Sequence, residues 1–181
     1  MPRGTVAIAA RGVTIAVLSG AVVGAVVGGL GGRLAMRLTA AWTDGPPFTL
    51  TGAEVGEMTL GGTLSLLGST AQAGTIVGLL YAVVRSALPS SHRAGVFALL
   101  ALLLPGGLIL GDDELKRFEP PLLTAALFLP MFPVGGLALA AMVERLDVRP
   151  TTRWTPRRQF VVAALVLLGL GVMLRNLIEL S

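Results

Sequence analysis

Apolar residues fall in five long runs, separated by short connections that carry most of the charge and much of the proline. Several runs approach or exceed the roughly 18 to 20 residues that an α-helix needs to cross the hydrocarbon core of a bilayer. The pattern predicts an all-α, polytopic integral membrane protein: a bundle of about five transmembrane helices over 12–40, 62–85, 93–111, 121–143 and 159–178, forming one transmembrane domain through 1–181. Local signals support the starts. Thr51 followed by Glu54 has the form of a capping box, Ser91 is placed to cap the third helix, and Thr155-Pro156 sets a cap residue before a proline at the first helical position. A helix starting near Thr51 would run on into the second crossing and bend at Gly61-Gly62.

Within the first run, small residues recur at every fourth position: Gly12, Ala16, Gly20, Gly24, Gly28 and Gly32. Apolar side chains gain little by leaving lipid for one another, so membrane helices associate through close backbone approach, which glycines spaced by four permit. Four residues overshoot one helical turn, so the stripe winds around the helix and predicts a hub touching two or more neighbours. Gly74 and Gly78 form a second close-packing pair on the second run. That run is also the most polar, with Ser65, Ser69, Thr70, Gln72 and Thr75, and Gln72 falls near the bilayer midplane. An amide at that depth predicts a hydrogen bond to a neighbouring helix.

The third and fourth runs are interrupted near their middles, by Pro105-Gly106-Gly107 and by Pro130 with Pro133-Val134-Gly135-Gly136. Proline removes a backbone donor and glycine weakens the turn, so carbonyls are freed at membrane depth. Paired interrupted helices point to binding sites in secondary transporters, which makes Pro105, Gly107, Pro133 and Gly136 candidate transport-site breaks; kinks that improve packing are the plainer alternative.

Composition excludes a soluble globule: 54% of residues are hydrophobic, 13% are charged and the mean hydropathy is +0.81, against about 25% charged in soluble domains. The net charge of +4 and pI near 11.0 do not imply nucleic acid, because the basic residues punctuate apolar runs. They set topology instead. Arg3, Arg11, Arg85, Arg93, Arg145, Arg149, Arg153, Arg157 and Arg158 fall on one side, and Arg33, Arg37, Lys116, Arg117 and Arg175 on the other. The positive-inside rule then places the N-terminus in the cytoplasm and the C-terminus outside. Acidic residues are lopsided in the opposite sense, with only Glu144 and Asp147 inside. The Arg-rich, Ala/Gly/Val/Leu-rich usage fits a bacterial inner membrane, and the first run, much longer than a signal-peptide core, reads as an uncleaved anchor.

Candidate chemistry is sparse. Arg33 and Arg37 share a helix face near the outer end of the first run, across a Gly-Pro-Pro connection from Glu54 and Glu57. The four suggest an ion-pair network or an anion site, with snorkelling arginines and solvated acids as the bland alternative. Arg145 to Arg158 with Trp154 suits anionic lipid headgroups. Asp112, Asp113, Glu114 and Glu119 match no calcium loop, His92 is the sole histidine and cysteine is absent, so no metal site or cofactor is expected. No hydrolase elbow, zinc-protease helix, phosphate loop or dinucleotide fingerprint is present, and the chain is not expected to be an enzyme. The expected role is a non-catalytic structural or accessory subunit, a homo-oligomer or part of a larger membrane complex. The rival is a small oligomeric transporter or channel with its site at the broken helices or at Arg33/Arg37.

Overall fold

The computed structural model describes residues 3–42, 59–118, 120–147 and 156–180. Within them the backbone is helical almost throughout, with no strand. The first run is one long rod: α1 (Arg3–Val23), a π-helical segment (Gly24–Leu30) and α2 (Gly31–Trp42). In the π segment the Gly31 N–H reaches the Val26 carbonyl, five residues back. This wider turn advances each residue through a smaller angle, so it checks the winding of a stripe spaced by four.

The second run forms α3 (Leu60–Val84), followed by a 3-10 turn (Arg85–Ala87). Thr59 caps α3: its side-chain oxygen accepts from the Gly62 N–H at 3.1 Å. Gly61 and Gly62 therefore lie in the first turn of α3 and not at a bend, while the Thr51/Glu54 capping box lies outside the described residues. Ser91 does not cap the third run, because α4 (Arg93–Ala101) has His92 at its N-cap and no side-chain bond there. Ser91 Oγ instead lies 2.7 Å from His92 Nδ1.

Pro105 does not end the third helix. It is absorbed in a second π segment (Leu102–Gly106) that leads into α5 (Gly107–Ile109) and, after a turn, α6 (Asp113–Lys116). The fourth run does divide, into α7 (Pro121–Phe128) and α8 (Met131–Leu146), with Pro130 between them and Pro133 in the first turn of α8, where its missing N–H costs least. The last helix is α9 (Pro156–Leu180).

Four helices are long and apolar enough to cross a membrane: Ala10–Trp42, Leu60–Ala87, Pro121–Leu146 and Phe160–Glu179. Arg93–Ile109 is apolar but shorter, about 26 Å at the helical rise and thus short of the roughly 30 Å hydrocarbon core. Four membrane-length helices thus stand where about five were expected, the third run forming the short helix.

Contacts define the directions. A Cβ placed on Gly20 would meet Gly74 and Gly78, and one on Gly29 would meet Leu67, so α3 runs antiparallel to the first rod. Gly136 lies against Ala98, and Gly106 against Phe132, so α8 runs antiparallel to α4. Leu103, Gly107 and Gly111 face Gly169, Met173 and Asn176 in turn, so α9 runs parallel to the third helix. The largest buried cluster, around Tyr81, Leu88, Phe97, Leu139 and Val143, gathers at the end where α3 and α8 finish and α4 begins. On the opposite side of the first rod Leu18, Val22, Val26, Leu30 and Leu34 form an exposed apolar stripe suited to lipid.

Candidate functional site

Buried charge is concentrated at that same end of the bundle. Tyr81 and Arg85 are four residues apart and share a face where α3 passes into its 3-10 turn; Glu144 and Asp147 are three apart at the end of α8; Arg93 is the first residue of α4. Arg85 is the hub. Its Nε donates to Glu144 Oε1 at 2.6 Å, its Nη1 to Asp147 Oδ2 at 2.6 Å and its Nη2 to the Asp147 backbone carbonyl at 2.7 Å. Glu144 also accepts from the Tyr81 hydroxyl at 2.9 Å and, on its other oxygen, from Arg93 Nη1 at 3.1 Å.

The guanidinium groups of Arg85 and Arg93 are buried, as is Asp147, while Glu144 is about one-third exposed. Two cations balance two anions. Arg85 also sits at the C-terminus of α8, where the helix dipole favours a cation and where Glu144 and Asp147 on their own would be disfavoured. Phe97 packs edge-on against Tyr81, with ring centroids 4.7 Å apart and planes at 67°, and holds the phenol toward Glu144. A cavity of about 30 Å³ beside Arg85, lined by Gly12, Ala16, Ala82 and Val143 among others, is far below the several hundred Å³ of a typical ligand pocket. Chemically the cluster is a fixed ionic clamp joining three helices: both Glu144 oxygens and Asp147 Oδ2 are engaged by donors.

The clamp was not legible as a site in the sequence, where Arg85 and Arg93 read as connection charges. A signal existed: Glu144 and Asp147 are the lone acids on the basic side and are spaced to share a helix face.

The structure brings the expected packing residues together. A Cβ on Gly20 would run into the Gly74 carbonyl and stand 3.0 Å from the Gly78 Cα; one on Gly24 would run into the Thr70 carbonyl and stand 2.9 Å from the Gly74 Cα. Gly28 faces the Thr70 side chain at 3.1 Å, and Gly32 has ordinary contact with Leu66 at 3.7 Å. The rod also meets α8, where Gly135 faces Val23 and Val27, and Gly31 faces Met131.

The interruption of the third run is filled by side chains, and Gly136 of the fourth lies against the Ala98 backbone and the Ala101 methyl. The Phe132 ring lies 3.3 Å from the Cβ position of Gly106, and Met173 occupies the space beside Gly107 at 3.2 Å. Asn176, a residue to which sequence reasoning assigned no role, donates from Nδ2 to the Gly107 carbonyl at 2.8 Å. At the same end Lys116 pairs with Glu179 at 3.6 Å, and Glu179 with Arg175 at 3.0 Å.

Arg33 lies over Gly62, and Arg37 is exposed one turn farther along α2. Glu54 and Glu57 lie outside the described residues, as does most of the 145–158 connection expected at lipid headgroups. Gln72 is exposed and makes no hydrogen bond among the described residues, in contrast to the expected interhelical bond. Among the described residues no group of three His, Cys, Asp or Glu side chains comes together that could hold a metal ion. The chain matches no protein-family model, no curated protein and no solved structure.

Proposed function

We propose that this chain is a multi-pass protein of a bacterial inner membrane, with five crossings, the N-terminus cytoplasmic and the C-terminus outside, and that its role is non-catalytic: a structural or accessory subunit that associates through membrane-embedded helix faces. The observation that carries this reading is the use made of polar and flexible residues. The buried charges neutralise one another in the clamp of Arg85, Arg93, Glu144 and Asp147, the interruption of the third run is occupied by Phe132, Met173 and Asn176, and Gly136 of the fourth run is closed against Ala98 and Ala101. Buried charge paired in this way favours a fixed architecture over chemistry on a solute. The alternating helix directions agree with five crossings, and the side bearing the clamp is the side that the positive-inside rule assigns to the cytoplasm.

A small transporter or channel is the second reading, favoured by the amide of Asn176 on a carbonyl beside the proline-bearing π segment. Native mass spectrometry of protein gently extracted from its own membrane separates the two. A stoichiometric complex with another protein, or a homo-oligomer without solute flux in liposomes, supports the accessory role. Flux that is lost in Asn176→Leu while assembly persists overturns it.

A further inference from the structure

One face of α3 has no neighbour among the described residues. Gly61, Ser65, Gly68, Gln72, Ile76 and Val83 recur at helical spacing along it and are all exposed. A Cβ added to Gly61 or Gly68 would meet nothing within 4 Å among the described residues. This face is opposite the one on which Gly74 and Gly78 receive the first rod; its first half is small residues, and the described residues leave it uncovered. Gln72 is the central residue of the 25-residue helix. Ser69 beside it turns its hydroxyl onto its own helix, donating to the Leu66 carbonyl at 3.0 Å, so the amide is left as the polar group that this face presents at mid-membrane. Hydrocarbon offers it neither donor nor acceptor.

We propose that a second copy of the chain docks here, α3 against α3 about a two-fold axis along the membrane normal, with the two Gln72 amides hydrogen-bonded to each other. Two copies inserted in the same sense must present parallel helices, and a two-fold axis along the normal then sets each residue opposite its own counterpart. Such a face must be compatible with itself at every position. This one carries no charge that would meet its like, its outer half is glycine and serine that allow close approach, and an amide is donor and acceptor at once and so complements its own copy. The inference rests on the membrane-inserted, associating role proposed above and names its partner.

The chain has no cysteine, so single introduced cysteines report proximity without background. In native membranes, oxidation of Ser65→Cys and Gly68→Cys should give covalent homodimers, whereas Leu168→Cys, on the exposed side of α9, should not. Gln72→Leu should weaken dimerisation about 3- to 30-fold with no change in the thermal midpoint of the protomer, since the side chain is exposed and makes no hydrogen bond among the described residues. Absence of dimers at both positions, equal crosslinking through Leu168→Cys, or capture of a different polypeptide at position 68 overturns the proposal. Solute flux in liposomes is measured on the same samples, so a failed dimer and a failed accessory role give separate readings.

Discussion

Arg85 shows what one residue contributes when its surroundings are closed. Five donors in a rigid fork let it hold Glu144, the Asp147 side chain and the Asp147 carbonyl together. Removing one partner leaves a buried charge without its counter-ion, which costs on the order of 3 to 5 kcal/mol. Arg85→Ala and Asp147→Ala should each lower stability by about that much in denaturant titrations of the protein in mild detergent. The double substitution Arg85→Leu with Asp147→Leu should cost markedly less than the sum of its singles, and strict additivity would show the clamp to be energetically idle. Gly20 is decided by space instead of charge. A methyl there is driven into the Gly74 backbone, which cannot rotate aside as a side chain can, so Gly20→Ala should destabilise by at least the 1 to 3 kcal/mol typical of overpacking. Gly61→Ala, facing open space, is the matched control and should leave stability unchanged or slightly raised.

Elements respond to the same substitutions in different ways because their ends are tied differently. The first rod is continuous through 40 residues, Arg3–Trp42, because its π segment takes up the mismatch between a four-residue stripe and the α-helical turn. The third helix accommodates Pro105 by a similar widening, and Asn176 from α9 covers a carbonyl just beyond it. Because α9 otherwise packs on one side only, that amide fastens an otherwise weakly held helix. Asn176→Leu should cost roughly 0.6 to 2 kcal/mol, the range of interhelical hydrogen bonds in membranes. It should also speed amide exchange in α5 and α9 before any change in α1 or α3; uniform acceleration across all helices would contradict this division. Proline and glycine announced where these helices depart from regularity, but not whether each departure bends, widens or ends the helix. Pro105 was absorbed in a π segment, and Pro130 separates α7 from α8.

At the scale of the whole molecule the number of crossings turns on the short third helix. Helix directions alternate through five elements, one of which, Arg93–Ile109, is short. Membrane-impermeant labelling should reach His92→Cys from the cytoplasmic side and Asp113→Cys from the outside, both sites being exposed. Labelling of both from one side would leave four crossings with a re-entrant third helix. Length and hydropathy determined the helices themselves, because in lipid a backbone must satisfy its own hydrogen bonds and only a long apolar helix does so. Residue spacing likewise marked the glycine stripe and the Gly74/Gly78 pair, since four-residue periodicity is a property of one helix and is visible in one segment. Pairing across 51 to 63 residues, which makes the clamp of Tyr81, Arg85, Arg93, Glu144 and Asp147, has no local signature. Nor does the exposure of Gln72, because which side of a helix faces inward depends on what the rest of the chain brings against it. Those two features were decided only by the tertiary structure.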